Sequence, residues 1–91
     1  DNLITDEFKL LRKHFIFRIV PMLNPDGVVY GNYRCSLLGC DLNRKWDSAN
    51  RLLHPVIFNT LQMMKRMRNS LKIHLFCDFH GHSRKTGAFF Y

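Results

Sequence analysis

Ninety-one residues suffice for one small domain with a modest core, and fourteen Lys and Arg against seven Asp and Glu leave a formal charge of +7. No apolar run approaches the roughly 20 residues that span a bilayer, and the charged, amphipathic residues 1–13 do not read as a secretory leader, so a soluble protein is expected. The positive excess favours acidic partners. A nucleic-acid surface would interleave exposed aromatics with the basic residues. Here the cluster Lys65, Arg66, Arg68 and Lys72 reads as a solvated helix face, and the Phe residues sit in strand-like runs and read as core.

In chain order, Thr5-Asp6-Glu7 ahead of Phe8, Leu10 and Leu11 predicts a short helix, with Thr5 as its cap and acids in the first turn. Residues 14–22, with Phe15, Ile16, Phe17, Ile19 and Val20, are nearly continuous in apolar character and predict a strand buried on both faces. Asn24-Pro25-Asp26-Gly27 then predicts a type I turn. Residues 28–50 show little periodicity and read as a long loop. Tyr30, Tyr33, Leu37, Leu38, Leu42 and Trp46 argue that it is ordered, and a loop of that length is usually functional.

His54-Pro55 opens a second predicted helix, whose apolar stripe is Leu53, Val56, Ile57, Thr60, Leu61, Met64 and Met67. Residues 71–79 predict another buried strand, and residues 87–91 begin a further strand-like run. Strand, long connection with a helix, and strand describe a βαβ unit. The expected fold is therefore α/β: part of a mixed, mainly parallel sheet flanked by helices, read as a section of a larger domain. Cys77 is expected as a small buried residue, and Cys35 and Cys40 as free thiols of a reducing cytosol, since no second cysteine pair completes a zinc site.

Functional groups follow the carboxyl ends of both predicted strands, where open parallel sheets bind ligands. His80, after Asp78 and before Gly81, is a candidate metal ligand. His82 competes with it, and Asp78 is placed either to orient an imidazole or to cap a loop. Arg44 offers a planar fork that fits a carboxylate, with Asn43 beside it as a neutral donor. The same arginine could instead pair structurally with Asp41 or Asp47. Arg34 reads either as a surface residue or as charge for a carbonyl oxygen that gains negative charge.

Four motifs in this order carry a resemblance: Pro21-Met22-Leu23-Asn24-Pro25-Asp26-Gly27, Gly31-Asn32-Tyr33-Arg34, Gly39-Cys40-Asp41-Leu42-Asn43-Arg44-Lys45-Trp46 and Asp78-Phe79-His80-Gly81-His82-Ser83. They resemble the zinc carboxypeptidase (M14) family, and within it the cytosolic, tubulin-deglutamylating branch. The similarity covers residues 14–91 but only an internal section of the family's catalytic domain. It implies a zinc enzyme of the cytoplasm that hydrolyses C-terminal peptide or isopeptide bonds with a metal-activated water, removing glutamate from acidic tails such as those of tubulin. By the same resemblance His80 is a zinc ligand, Asn43 and Arg44 hold the terminal α-carboxylate, and Arg34 stabilises the oxyanion.

The departures are equally specific. The family's His-x-x-Glu, which gives two further zinc ligands, does not precede Asn24, and its general-base glutamate and closing tyrosine lie downstream of the matching section. Glu7 is the only glutamate, and it falls in the first predicted helix. A catalytic zinc takes three protein ligands, so residues 1–91 alone are expected to be inactive. A non-catalytic carboxylate-binding relative and, from another class, a small basic nucleic-acid module are the rival readings.

Overall fold

A computed structural model describes residues 5–90. The first helix, α1 (Asp6–His14), begins as expected. The Thr5 hydroxyl accepts from the Phe8 amide at 3.4 Å, Asp6 and Glu7 occupy the first turn, and Arg12, Lys13 and His14 the last, each sign matched to the helix dipole. The Glu7 carboxyl is held below its ordinary range by its own backbone N–H and by the Thr5 side chain. Where Phe15-Ile16-Phe17 begins, β-branched and aromatic side chains replace the helix formers and Phe15 turns to extended backbone (φ −127°, ψ 142°). The extended run folds back beside α1, with the Phe8 and Phe17 rings stacked at 5.9 Å.

Asn24-Pro25-Asp26-Gly27 opens a helix rather than a type I turn. In α2 (Pro25–Val29), Pro25 stands at the first position, where its fixed φ suits the helix, and the Asn24 side chain caps the Gly27 amide at 3.2 Å. The helix ends in a Schellman motif: Asn32 N–H reaches the Gly27 carbonyl at 2.8 Å, Gly31 N–H reaches the Val28 carbonyl at 3.2 Å, and Gly31 takes φ +70°.

The long loop is ordered by its own backbone. Cys35 and Asp41 form an isolated antiparallel bridge, closed by a reversal in which Ser36 N–H donates to the Cys40 carbonyl and Gly39 N–H to the Ser36 carbonyl, both at 2.9 Å. A 3₁₀ turn, Leu42–Arg44, comes immediately after, with Asp41 as its cap. The last helix, α3 (Pro55–Arg68), starts at the expected His54-Pro55. His54 and Asn50 tie its entrance reciprocally: His54 N–H donates to the Asn50 carbonyl at 2.8 Å, and Asn50 N–H donates to His54 Nδ1 at 3.1 Å. The helix turns Ile57 into the centre of the small core, with Leu42 and His54 as the other buried side chains among the described residues. Lys65, Arg66, Arg68 and Lys72 are all exposed, as a solvated helix face requires.

The expected sheet does not appear among the described residues. Neither predicted strand pairs with another among them, and the βαβ unit reduces to two runs without regular secondary structure, one before α2 and one after α3 in the chain; His14, assigned to the first strand, ends α1 instead. They run near each other, since the Phe15 ring meets the edge of His74 at 5.5 Å. A strand hides its two faces only when neighbouring strands and helices cover them. Without those neighbours Phe15, Phe17, Ile19, Phe76 and Phe79 are exposed, and so is Cys77, contrary to their assignment to the core. Residues 87–90 form no strand, and Tyr91 lies outside the described residues. The radius of gyration is 16.1 Å, against about 12 Å for a compact domain of this length. Among the described residues the core is limited to Leu42, His54 and Ile57.

Candidate functional site

The local fold gathers three of the four candidate residues at one end of one loop. In the antiparallel Cys35–Asp41 bridge, the residue before Cys35 and the residue after Asp41 leave from the same end. Those neighbours are Arg34 and the Leu42–Arg44 turn, so the backbone segments that carry Arg34, Asn43 and Arg44 leave the bridge at the same end. Asn24 braces the loop from below, its side-chain amide donating to the Cys35 carbonyl at 3.0 Å. Gly27 sits against both partners of that bond: a Cβ there would collide with the Asn24 side chain and the Cys35 carbonyl.

Arg34 is the one non-glycine residue with positive φ (+61°) among the described residues. A left-handed arginine costs about 1–2 kcal/mol, so the surrounding loop must hold it there. Its guanidinium lies 5.4 Å over the centroid of the Tyr33 ring, and the residue is exposed.

The 3₁₀ turn presents the other two. The Asp41 carboxylate accepts from the Asn43 amide N–H at 3.0 Å through one oxygen and lies 3.8 Å from Arg44 Nε through the other. The structural pairing of Arg44 with Asp41, one of its two readings, is therefore real but loose. It engages Nε at the base of the guanidinium and leaves the side chain 71% exposed. Asn43 is held differently: its side-chain carbonyl accepts from the Trp46 indole N–H at 2.9 Å. Trp46 in turn meets the Phe76 ring edge-on at 5.8 Å, which ties the loop to the extended run that leads to His80.

His80 and His82 differ in what they already do. His80 Nδ1 lies 3.3 Å from the Asp78 carboxylate, the arrangement of an imidazole oriented by an acid. His82 Nδ1 accepts from the backbone N–H of Arg84 at 3.1 Å and of Lys85 at 2.9 Å, and its ring packs edge-on against Phe89. With Nδ1 accepting, a neutral His82 carries its proton on Nε2 and has no lone pair to offer a metal. His82 therefore closes a turn.

No hydrogen bond, ion pair or ring contact joins His80 to Arg34, Asn43 or Arg44 among the described residues, and the Trp46–Phe76 contact links the loop to the run that precedes His80. No three His, Cys, Asp or Glu side chains among the described residues gather so that they could hold a metal ion. Cys35 and Cys40 are free thiols. These residues alone do not make a zinc site.

The indole lock on Asn43, the Asn24 brace and the left-handed Arg34 were not read from sequence. For the first two a signal was present: an acceptor and a donor three residues apart in Asn43 and Trp46, and a strong helix-capping residue before Pro in Asn24-Pro25.

Comparison with known proteins adds the family context. The M14 peptidase family, described as zinc carboxypeptidase, matches residues 2–90. The chain is 52% identical over 93 residues to cytosolic carboxypeptidase 2 of Xenopus tropicalis, covering all of this chain and 10% of that protein. It is 52% identical over 82 residues to cytosolic carboxypeptidase 1 of Danio rerio, covering 89% of this chain and 7% of the relative. Against cytosolic carboxypeptidase 3 of Bos taurus it is 48% identical over 87 residues, covering 96% and 9%. The chain thus spans a tenth or less of the length of these relatives. No solved structure matches it. No helix among the described residues is long and apolar enough to cross a membrane.

Proposed function

The chain belongs to the zinc carboxypeptidase family, and on that premise we propose that its 91 residues serve as an internal section of a longer cytosolic carboxypeptidase that hydrolyses the last peptide or isopeptide bond of acidic tails. The family implies an α/β fold. In the longer protein the two extended apolar runs would join a sheet, whose other strands and helices would cover the side chains now exposed.

The observation that carries the reading is the common exit of Arg34, Asn43 and Arg44 from one braced loop. A terminal α-carboxylate is a planar anion. The exposed guanidinium of Arg44 can take it as a fork, and the Asn43 NH₂ adds a neutral donor. Arg34, held in a costly conformation on the segment that enters the same bridge, suits the oxygen that becomes negative as the scissile carbonyl is attacked. His80, oriented by Asp78, would be one zinc ligand. The other ligands must come from beyond the described residues, because no three donors gather among them. Glutamate as the residue removed, and tubulin tails as the substrate, agree with the +7 charge, which draws acidic chains.

The test compares two peptides on the zinc-loaded longer enzyme, identical except that one ends in a free carboxylate and the other in a carboxamide. Only the free acid should be cleaved well, and Arg44→Ala should lower kcat/KM for it by about 100-fold or more. Equal rates on both peptides, or a near-normal Arg44→Ala enzyme, would refute the reading. The rival reading is a relative that keeps the carboxylate-binding pair Asn43 and Arg44 without hydrolysis. Peptide binding by a zinc-free, inactive longer protein would support that rival.

A further inference from the structure

We propose that Trp46 is a positioning residue for substrate binding, because its indole decides which end of the Asn43 amide faces the substrate. This inference rests on the carboxylate reading of Asn43 and Arg44. An asparagine amide has an accepting oxygen and a donating NH₂ on opposite sides, and only the NH₂ can bind a carboxylate. Turned the other way, Asn43 would set its carbonyl against the carboxylate oxygens and repel them. On the exposed surface of a 3₁₀ turn nothing intrinsic favours one orientation.

The indole N–H removes that choice. It is a donor with no acceptor, so the atom 2.9 Å away must be the amide oxygen, and the NH₂ is turned away from the ring. The lock is only as firm as the tryptophan. Trp46 is half-buried and seated by its edge-on contact with Phe76 at 5.8 Å. Phe76 lies four residues before His80 on the same extended run. One chain of contacts, Phe76 to Trp46 to Asn43, therefore couples the run that carries the candidate metal ligand to the donor that would receive the substrate's carboxylate. Arg44 supplies charge, and Trp46 supplies orientation. Preorganising a donor strengthens ground-state binding without changing the chemical step.

The test uses the zinc-loaded longer enzyme and a peptide with a free C-terminal carboxylate. Trp46→Phe keeps a ring against Phe76 and deletes the N–H. Incorporating benzothienylalanine at position 46 deletes the N–H while preserving the bicyclic shape, so it guards against a folding defect. Each should raise KM, and the Kd of the carboxylate product measured by calorimetry, by about tenfold, with kcat within about twofold of wild type. In an Asn43→Ala background the same replacement should change KM by less than about twofold, because the residue it orients is gone. An equal rise in both backgrounds would show that Trp46 acts by general packing and would overturn the inference. So would an unchanged KM with benzothienylalanine. An Asn43→Ala enzyme with normal KM would instead bring down the carboxylate reading itself, and this inference with it.

Discussion

The side-chain amide of Asn24 donates to the backbone carbonyl of Cys35 at 3.0 Å, while its oxygen caps the Gly27 amide at 3.2 Å, so one residue joins the start of α2 to the base of the loop that displays Arg34, Asn43 and Arg44. Gly27 is buried against this joint and leaves no room for a Cβ. Gly27→Ala must therefore displace either the Asn24 side chain or the Cys35 carbonyl, at a cost of about 1–3 kcal/mol. In the longer protein it should speed protease cutting within residues 28–41 and raise KM. Asn24→Ala should do the same more mildly. Unchanged cutting in both variants would mean that the brace does not hold the loop.

Arg34 separates conformation from chemistry. At φ +61° any residue with a Cβ is strained and glycine is not. Arg34→Gly should therefore be more stable than Arg34→Ala by about 1 kcal/mol in denaturant unfolding. Both should lose about 100-fold or more in kcat, because both lack the guanidinium. Restored activity in the glycine variant would show that the backbone, and not the charge, is what matters at this position.

The two histidines make opposite predictions. His80→Ala should strip zinc from the longer enzyme, as measured by metal content after dialysis, because His80 is oriented by Asp78 and its neighbouring histidine is already committed. His82→Ala should keep stoichiometric zinc and only loosen the turn at Arg84 and Lys85. Metal retained by His80→Ala and lost by His82→Ala would reverse the assignment.

Local signals were legible in the sequence, and long-range ones were not. Thr5 as a cap, Pro55 at a helix start and the order within the loop all stem from short-range chemistry, and they appear where expected. Of the strand readings of residues 14–22 and 71–79, Phe15 is extended as expected, His14 instead ends α1, and neither run shows the pairing or the burial of a strand. Pairing depends on neighbours that an apolar run implies but does not contain. Asn24-Pro25-Asp26-Gly27 misled for another reason. Turn and helix N-terminus share the same first residues, and the next ones, Val28-Val29-Tyr30 closed by Gly31, decide for the helix. In the candidate site, the arginines and Asn43 were nameable from motif order. The lock on Asn43 was not, since it depends on the indole and the amide meeting across the 3₁₀ turn.

The 91-residue chain on its own should hydrolyse no C-terminal peptide, even with zinc added, since its described residues gather no three-donor cluster. Its zinc affinity in calorimetry should be weak. Turnover by the purified chain would contradict this.

The most direct measurement is a crystal structure of the longer protein with zinc and a bound peptide product. The account predicts His80 in the zinc coordination sphere, and the product's α-carboxylate between the Arg44 guanidinium and the Asn43 NH₂, beside the same metal. A structure with zinc held elsewhere, or with the carboxylate far from Arg44, would contradict it.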